Sequence, residues 1–219
     1  MPSDPPPPEG TRHVVVIVDD DPRVCASIDS LLRSVGIETQ MHSSAQAVIE
    51  AGLPDVNCCL VVDIRMPGLG GLEFQSRLQE RGEDPAIIFV TGHGDIPMTV
   101  QAMKAGAVDF LAKPFRDQDL LDAVAHALER DRERRRERGE LNAARALYDR
   151  LTPREREVMA GVVRGLLSKQ IAGELGLSEI TIKLHRSSVM KKMGTRSVAD
   201  LVRLAEFIAR GADRGPVPH

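Results

Sequence analysis

The sequence predicts an α/β domain built on a parallel sheet, followed by an all-helical domain. Two observations carry that prediction. Over roughly the first 125 residues, short apolar runs of strand length alternate with amphipathic helical patterns, as strands joined by helical crossovers require. After Leu151 only helical patterns remain, separated by caps and glycine turns. Charge shifts across the same divide. Residues 1–125 hold 9 Lys or Arg against 19 Asp or Glu, whereas residues 151–219 hold 12 against 7. The net charge of −3 hides this split, and only the basic back half suits a polyanion.

Taken in order, residues 1–12 (MPSDPPPPEGTR) read as a disordered tail whose prolines favour extended conformations. They lack the basic flank and apolar stretch of an export signal. His13–Val18 is the first strand. Asp21 can cap the helix that follows, and Pro22 suits its first turn. Val24, Ile28, Leu31, Leu32 and Val35 share one face of that helix. Ile37–Met41 is a weaker strand candidate. Cys58–Val62, Ala86–Val90 and Ala107–Leu111 bring the sheet to five. Their nearly unbroken hydrophobicity predicts strands buried on both faces.

A helix from Asp117 carries Leu120, Val124 and Leu128 in register. It runs into ERDRERRRERGE, residues 129–140, which has no apolar side chain and reads as a solvated helical spacer. Pairs such as Asp131–Arg135 would each support it by ~0.2–0.5 kcal/mol. No apolar seam crosses this stretch, so a coiled coil is not expected. Leu141, Ala144, Leu147 and Leu151 then resume a stripe that could pack on either domain. The expected limits are 13–128 for the α/β domain, 129–150 for the linker, 151–211 for the helical domain and 212–219 for a flexible tail.

Thr152-Pro153-Arg154-Glu155 is a complete helix start, with a Thr cap, Pro at the first position and Glu at the third. Ser168–Leu175 forms a short helix, Gly176-Leu177-Ser178 a turn, and Ser178 caps a longer helix. Ser197 caps the last one. At 100° per residue, Ile182, Val189 and Met193 point one way, and Ile180, Lys183, Leu184, Ser187 and Lys191 point the other. Two helices joined by a Gly-bearing turn, the second with a basic outer face, fit a helix-turn-helix. Spacing alone leaves a plain bundle with a solvated face equally open.

Chemistry in the front half sits at the strand ends. Val18 runs into Asp19-Asp20-Asp21, Val62 into Asp63, Val90 into Thr91, and the last strand leads to Lys113-Pro114. In a parallel sheet these points open onto one edge, where ligands bind. Three carboxylates brought together there need a cation, and an oxygen-only site suits Mg²⁺. Lys113 offers a point charge to a phosphoryl group and Thr91 a hydroxyl donor, which suits phosphoryl transfer. Each residue alone has a plainer reading, since Asp-rich turns are often helix caps and a Lys-Pro is usually a loop. The conjunction is what points to a site.

IVDDD, VVDIRMPGLGG, FVTGHGDIPM and DFLAKPF together resemble the receiver domains of two-component response regulators over about residues 13–130. The resemblance implies a flavodoxin-like, doubly wound five-stranded sheet. It implies that Asp63 accepts a phosphoryl group from a sensor histidine kinase. Asp19, Asp20, Asp63 and the backbone carbonyl of Arg65 would hold Mg²⁺. Thr91, Gly92 and Lys113 would bind the phosphoryl oxygens, and Phe110 would be the aromatic switch. GHGDIPMTVQAMKAGAVDF is most similar to the FixJ-like group, which implies homodimerisation through residues 97–111.

LTPREREVMAGVVRGLLSKQIAGELGLSEITIKLHRSSVMKKMG resembles the LuxR/NarL-type four-helix DNA-binding domain. This implies that Lys183, Leu184 and Ser187 face the major groove of promoter DNA. Ser168, Lys169, Thr181, Lys191 and Arg196 become candidate phosphate contacts, and RNA polymerase a downstream partner. Relatives often carry a charge where Ser187 stands, so base preference cannot be copied from them.

Other classes fit less well. No Walker motif, Gly-x-Gly-x-x-Gly, His/Cys metal cluster or Ser/His/Asp set supports a metabolic enzyme, and Gly92-His93-Gly94 fails as a fingerprint because position 97 is Pro. Five Phe, one Tyr and no Trp offer few stacking platforms for RNA. A phosphorelay module whose back half no longer binds DNA would share the acidic pocket but leave the basic helix face unused. No apolar run approaches the ~18 residues of a membrane span. Three cysteines form no disulfide or metal pattern and read as reduced core thiols of a cytoplasmic protein.

Overall fold

The computed structural model describes residues 12–92 and 96–213. The two expected tails lie almost wholly outside this range, as do His93 and Gly94. The chain divides between Arg135 and Arg136 into two compact units.

The first unit alternates β1 (His13–Val18), α1 (Pro22–Ser34), β2 (Glu38–His42), α2 (Ala45–Ala51), β3 (Asn57–Asp63), α3 (Gly71–Glu80), β4 (Ala86–Thr91), α4 (Ile96–Lys104) and β5 (Asp109–Ala112). The long α5 (Asp117–Asp149) follows. All five strands are parallel, in the order β2-β1-β3-β4-β5. This is the doubly wound flavodoxin-like order, with its switch point between β1 and β3.

Strand hydrophobicity is unbroken because each face feeds a separate core. Val15, Ile17, Cys59, Val61, Ile88 and Val90 pack against α1 and α5 through Ile28, Leu32, Leu120 and Val124. Val14, Val16, Leu60, Val62, Ile87 and Phe89 pack on the other side against Val48, Phe74, Leu78 and Ala102 of α2, α3 and α4. β2 is an edge strand with no fully buried residue, which is why its signal was weak. β5 starts at Asp109 rather than Ala107, although the Val108 amide already bonds the Ile87 carbonyl.

Residues 129–140 are helical, as expected, but not wholly solvated. Asp131 is 1% exposed and accepts a 2.9 Å hydrogen bond from the Cys58 amide at the start of β3. Arg134 and Arg135 both pair with it. Arg135 also donates to the Pro54 carbonyl and pairs with Asp55. The Asp131–Arg135 pair therefore fastens α5 to the amino-terminal edge of the sheet instead of decorating a free helix. The three cysteines are free and buried, and burial raises each thiol's pKa.

The second unit contains the end of α5 and α6 (Pro153–Val163), α7 (Ser168–Leu175), α8 (Glu179–Lys192) and α9 (Val198–Asp213). Leu147, Ala144 and Leu151 are buried or half-buried here, so the resumed stripe packs within this unit. Leu141 lies against Gly211 of α9 so closely that any β-carbon there would collide with it. The Thr152 capping box forms in both directions, with Glu155 Oε2 accepting from the Thr152 amide at 2.8 Å. Glu155 also accepts from Lys192 and from Ser188, both at 2.6 Å. These donors, Lys192 first, hold its carboxyl down at about 2. α7 ends at Gly176, whose φ of +65° makes the turn into α8.

Candidate functional site: an acidic pocket and a basic helix face

Parallel pairing brings the carboxyl ends of β1, β3, β4 and β5 to one edge, and the predicted residues meet there. Asp63 is the last residue of β3, Thr91 the last of β4, and Asp19 follows β1 directly. Asp19, Asp20 and Asp63 each offer an oxygen, all within 4.8 Å of one another. They form a group fit for a divalent cation among the described residues.

The three carboxylates differ in their partners. Asp19 is buried and fully engaged: Lys113 Nζ lies 2.5 Å from its Oδ2, and the Asp21 amide donates to its Oδ1 at 2.9 Å. Cys25 Sγ lies 3.4 Å from its backbone carbonyl. Asp20 is exposed. Asp63 is 8% exposed, and its Oδ1 has no hydrogen-bond partner among the described residues, with Lys113 Nζ 3.6 Å away. Burial pushes its carboxyl pKa up. Lys113 opposes that rise, and the negative charges of Asp19 and Asp20 add to it. The Arg65 amide hydrogen-bonds Asp63 and orients it. A buried oxygen without a hydrogen-bond donor, beside a lysine and two more carboxylates, can accept a cation and leaves the lysine available to an incoming anion.

Thr91 is fully buried, and its carbonyl accepts from the Lys113 amide at 2.7 Å, tying the two residues together. Gly92 is exposed beside it. Phe110 pairs in register with Phe89, so it shares a sheet face with Thr91 but sits two residues back from the edge. It is half-buried against the α4 side of the sheet.

Gly71, at the start of α3, escaped the sequence reading. A β-carbon there would come within 2.7 Å of the Asp63 carbonyl and 3.0 Å of Ile64 Cα. Only glycine lets α3 begin so close behind Asp63. The signal was present as the last glycine of VVDIRMPGLGG. The sequence reading took Asp131 for half of a solvated pair and missed its burial, although it continues the spacing of Leu120, Val124 and Leu128 and so falls on the buried face of α5.

In the second unit Ile182, Val189 and Met193 are buried, while Ile180, Lys183, Leu184, Ser187 and Lys191 face solvent. Ser178 caps α8 through the Thr181 amide, and its hydroxyl meets the Thr181 hydroxyl at 2.8 Å. Ser168 is half-buried and accepts from Arg186 at 3.3 Å. Lys169 and Arg196 are exposed. Lys183 pairs with Glu179 one turn before it, a solvent-facing contact worth little and readily exchanged.

Residues 15–125 match the family of response regulator receiver domains, and residues 149–205 match the luxR family of bacterial regulatory proteins. The chain belongs to the response regulators. It is of the NarL/FixJ type, as the sequence resemblance implied. Nodulation protein W of Bradyrhizobium diazoefficiens is 51% identical over 203 residues, covering 93% of this chain and 89% of that protein. The solved structure of the response regulator StyR is similar at a TM-score of 0.79 and 46% identity, over 90% of this chain and 99% of that one. Full-length FixJ from B. japonicum is similar at a TM-score of 0.53 and 40% identity, over 91% and 98%.

This response regulator is therefore a transcription regulator of a two-component system and not a metabolic enzyme. Its receiver implies a histidine kinase as phosphodonor, and its LuxR-type domain implies DNA binding. No helix among the described residues is long and apolar enough to cross a membrane.

Proposed function

We propose that Asp63 is the phosphoacceptor and that its phosphorylation switches this response regulator into a promoter-binding homodimer. The observation that carries the reading is the Asp63 carboxylate itself, buried, with an unpartnered Oδ1 3.6 Å from Lys113 Nζ. Asp63 Oδ1 attacks the phosphorus of the kinase's phosphohistidine. The P–O bond forms as the P–N bond breaks, and the imidazole leaves with the bonding pair and takes up a proton. Lys113 and Thr91, with the Gly92 backbone, neutralise and hold the phosphoryl oxygens. Asp19, Asp20, Asp63 and the Arg65 carbonyl would hold Mg²⁺, which when bound offsets the carboxylate and phosphoryl charge.

Phe110 then acts as the switch that follows Thr91, and residues 97–111, with exposed Val100 and Met103, form the face on which two chains pair. In the second unit Lys183, Leu184 and Ser187 read the major groove. Ser168, Lys169, Thr181, Lys191 and Arg196 position the duplex by its phosphates, with the Ser168 and Thr181 hydroxyls shared with Arg186 and Ser178. RNA polymerase is the downstream partner, and the cytoplasm, which holds the promoter DNA, is the place of action. We set the start of the linker after Arg135, because Asp131 and Arg135 are bonded to the receiver.

The test is Asp63→Asn. It abolishes acetyl-phosphate labelling and the beryllofluoride-induced rise in duplex binding, while the circular dichroism of the folded chain stays unchanged. Normal labelling of that variant overturns the pocket. Labelling of the parent protein with no duplex binding at any salt concentration points instead to a phosphorelay module.

A further inference from the structure

Among the described residues the three most exposed large hydrophobic side chains are Ile180 (73%), Leu167 (70%) and Leu184 (68%), all in the second unit. Ile180 and Leu184 stand one turn apart on α8. With Lys183 and Ser187 they fill an arc of about 100° opposite the buried Ile182, Val189 and Met193. Exposed aliphatics on a surface that meets DNA need an apolar counterpart. The major groove offers one projecting apolar group, the C5 methyl of thymine. Lys183, next to Leu184, and Lys191, about two turns further along the same face, draw a polyanion to this surface, and the short Ser187 side chain leaves room for base edges to approach.

We propose that Ile180 is a further specificity-determining residue, which reads a thymine methyl in concert with Leu184. The proposal rests on the assignment of α8 as the groove-facing helix. A four-residue separation is a rise of about 6 Å, so the two side chains reach thymines about two base-pair steps apart. Ile180 lies outside the core, so shortening it leaves the second unit folded.

The full-length chain, activated with beryllofluoride, selects its duplex from a random pool. Each thymine of the selected site is then replaced singly by uracil, which deletes the methyl and keeps every hydrogen-bonding group. Uracil at the position read by Ile180 weakens binding roughly fourfold, the value of one buried carbon. In Ile180→Ala that penalty disappears, while the penalty at the position read by Leu184 persists. A uracil profile without any penalty, or one identical in parent and Ile180→Ala, overturns the methyl-reading role and leaves α8 on DNA by its lysines. Failure to select any duplex overturns both this role and the groove-facing assignment. A change in sedimentation of Ile180→Ala with an unaltered uracil profile assigns the patch to a second copy of the chain, and also overturns the proposal.

Discussion

A carboxylate buried beside two others is an expensive neighbour for its own fold. Asp63 has its pKa raised by burial, so the folded chain holds its proton more tightly than the unfolded chain does. A raised carboxylate stabilises the fold only in acid, and its contribution is lost as pH climbs through the folded value. At neutral pH Asp63→Asn therefore raises the thermal midpoint, and the difference from the parent shrinks as pH approaches 4, as melts at several pH values will show. The protonated acid is no nucleophile, so labelling by acetyl phosphate falls as pH drops through that same raised value. Glu155 runs the other way. Its carboxyl is held at about 2, so its contribution is complete above pH ~4.5 and is lost as pH falls towards 2. Glu155→Gln lowers the stability of the second unit at neutral pH, and a scan from pH 5 to about 2 should bring the two curves together.

At the scale of elements, the receiver strands were legible because burial on both faces leaves no polar alternation to confuse them, as in Val14–Val18 and Cys58–Val62. The pocket was legible for a related reason, since its residues are the first polar ones after each run. What the sequence left open was how they share partners. That Lys113 sits 2.5 Å from Asp19 and 3.6 Å from Asp63 depends on the packing of strands far apart in the chain. Gly71 and Asp131 were hidden by their company, one in a glycine-rich loop and the other in a run of charges. Both carry measurable consequences. Gly71→Ala forces α3 away from the Asp63 backbone, costs about 1–3 kcal/mol and slows phosphorylation. Asp131→Ala strands the buried Cys58 amide and costs about 1–3 kcal/mol in denaturant melts, whereas Glu133→Ala, at an exposed site two residues further along the same helix, costs less than about 0.5 kcal/mol.

For the whole molecule, the acidic front half coincides with the receiver and its carboxylate pocket, and the basic back half with the LuxR-type domain, whose implied partner, DNA, is a polyanion. Duplex affinity should fall with salt at a slope set by the phosphates neutralised. Lys191→Ala should reduce that slope by about one per bound chain and weaken all sequences alike, whereas Lys183→Ala should cost roughly 1–3 kcal/mol on the selected site only. Titrations of both variants across a salt series separate the two effects.

The burial of the cysteines has a practical consequence. The chain has three, all in the first unit, and each is both hidden and harder to ionise than a free thiol. Alkylating reagents will reach them only when that unit opens, so the rate of adduct formation is a built-in clock for receiver opening, blind to the second unit. Because Cys25 touches the Asp19 carbonyl, its alkylation should slow further when a beryllofluoride adduct closes the pocket. An introduced surface cysteine elsewhere would then take a spectroscopic label against a silent background.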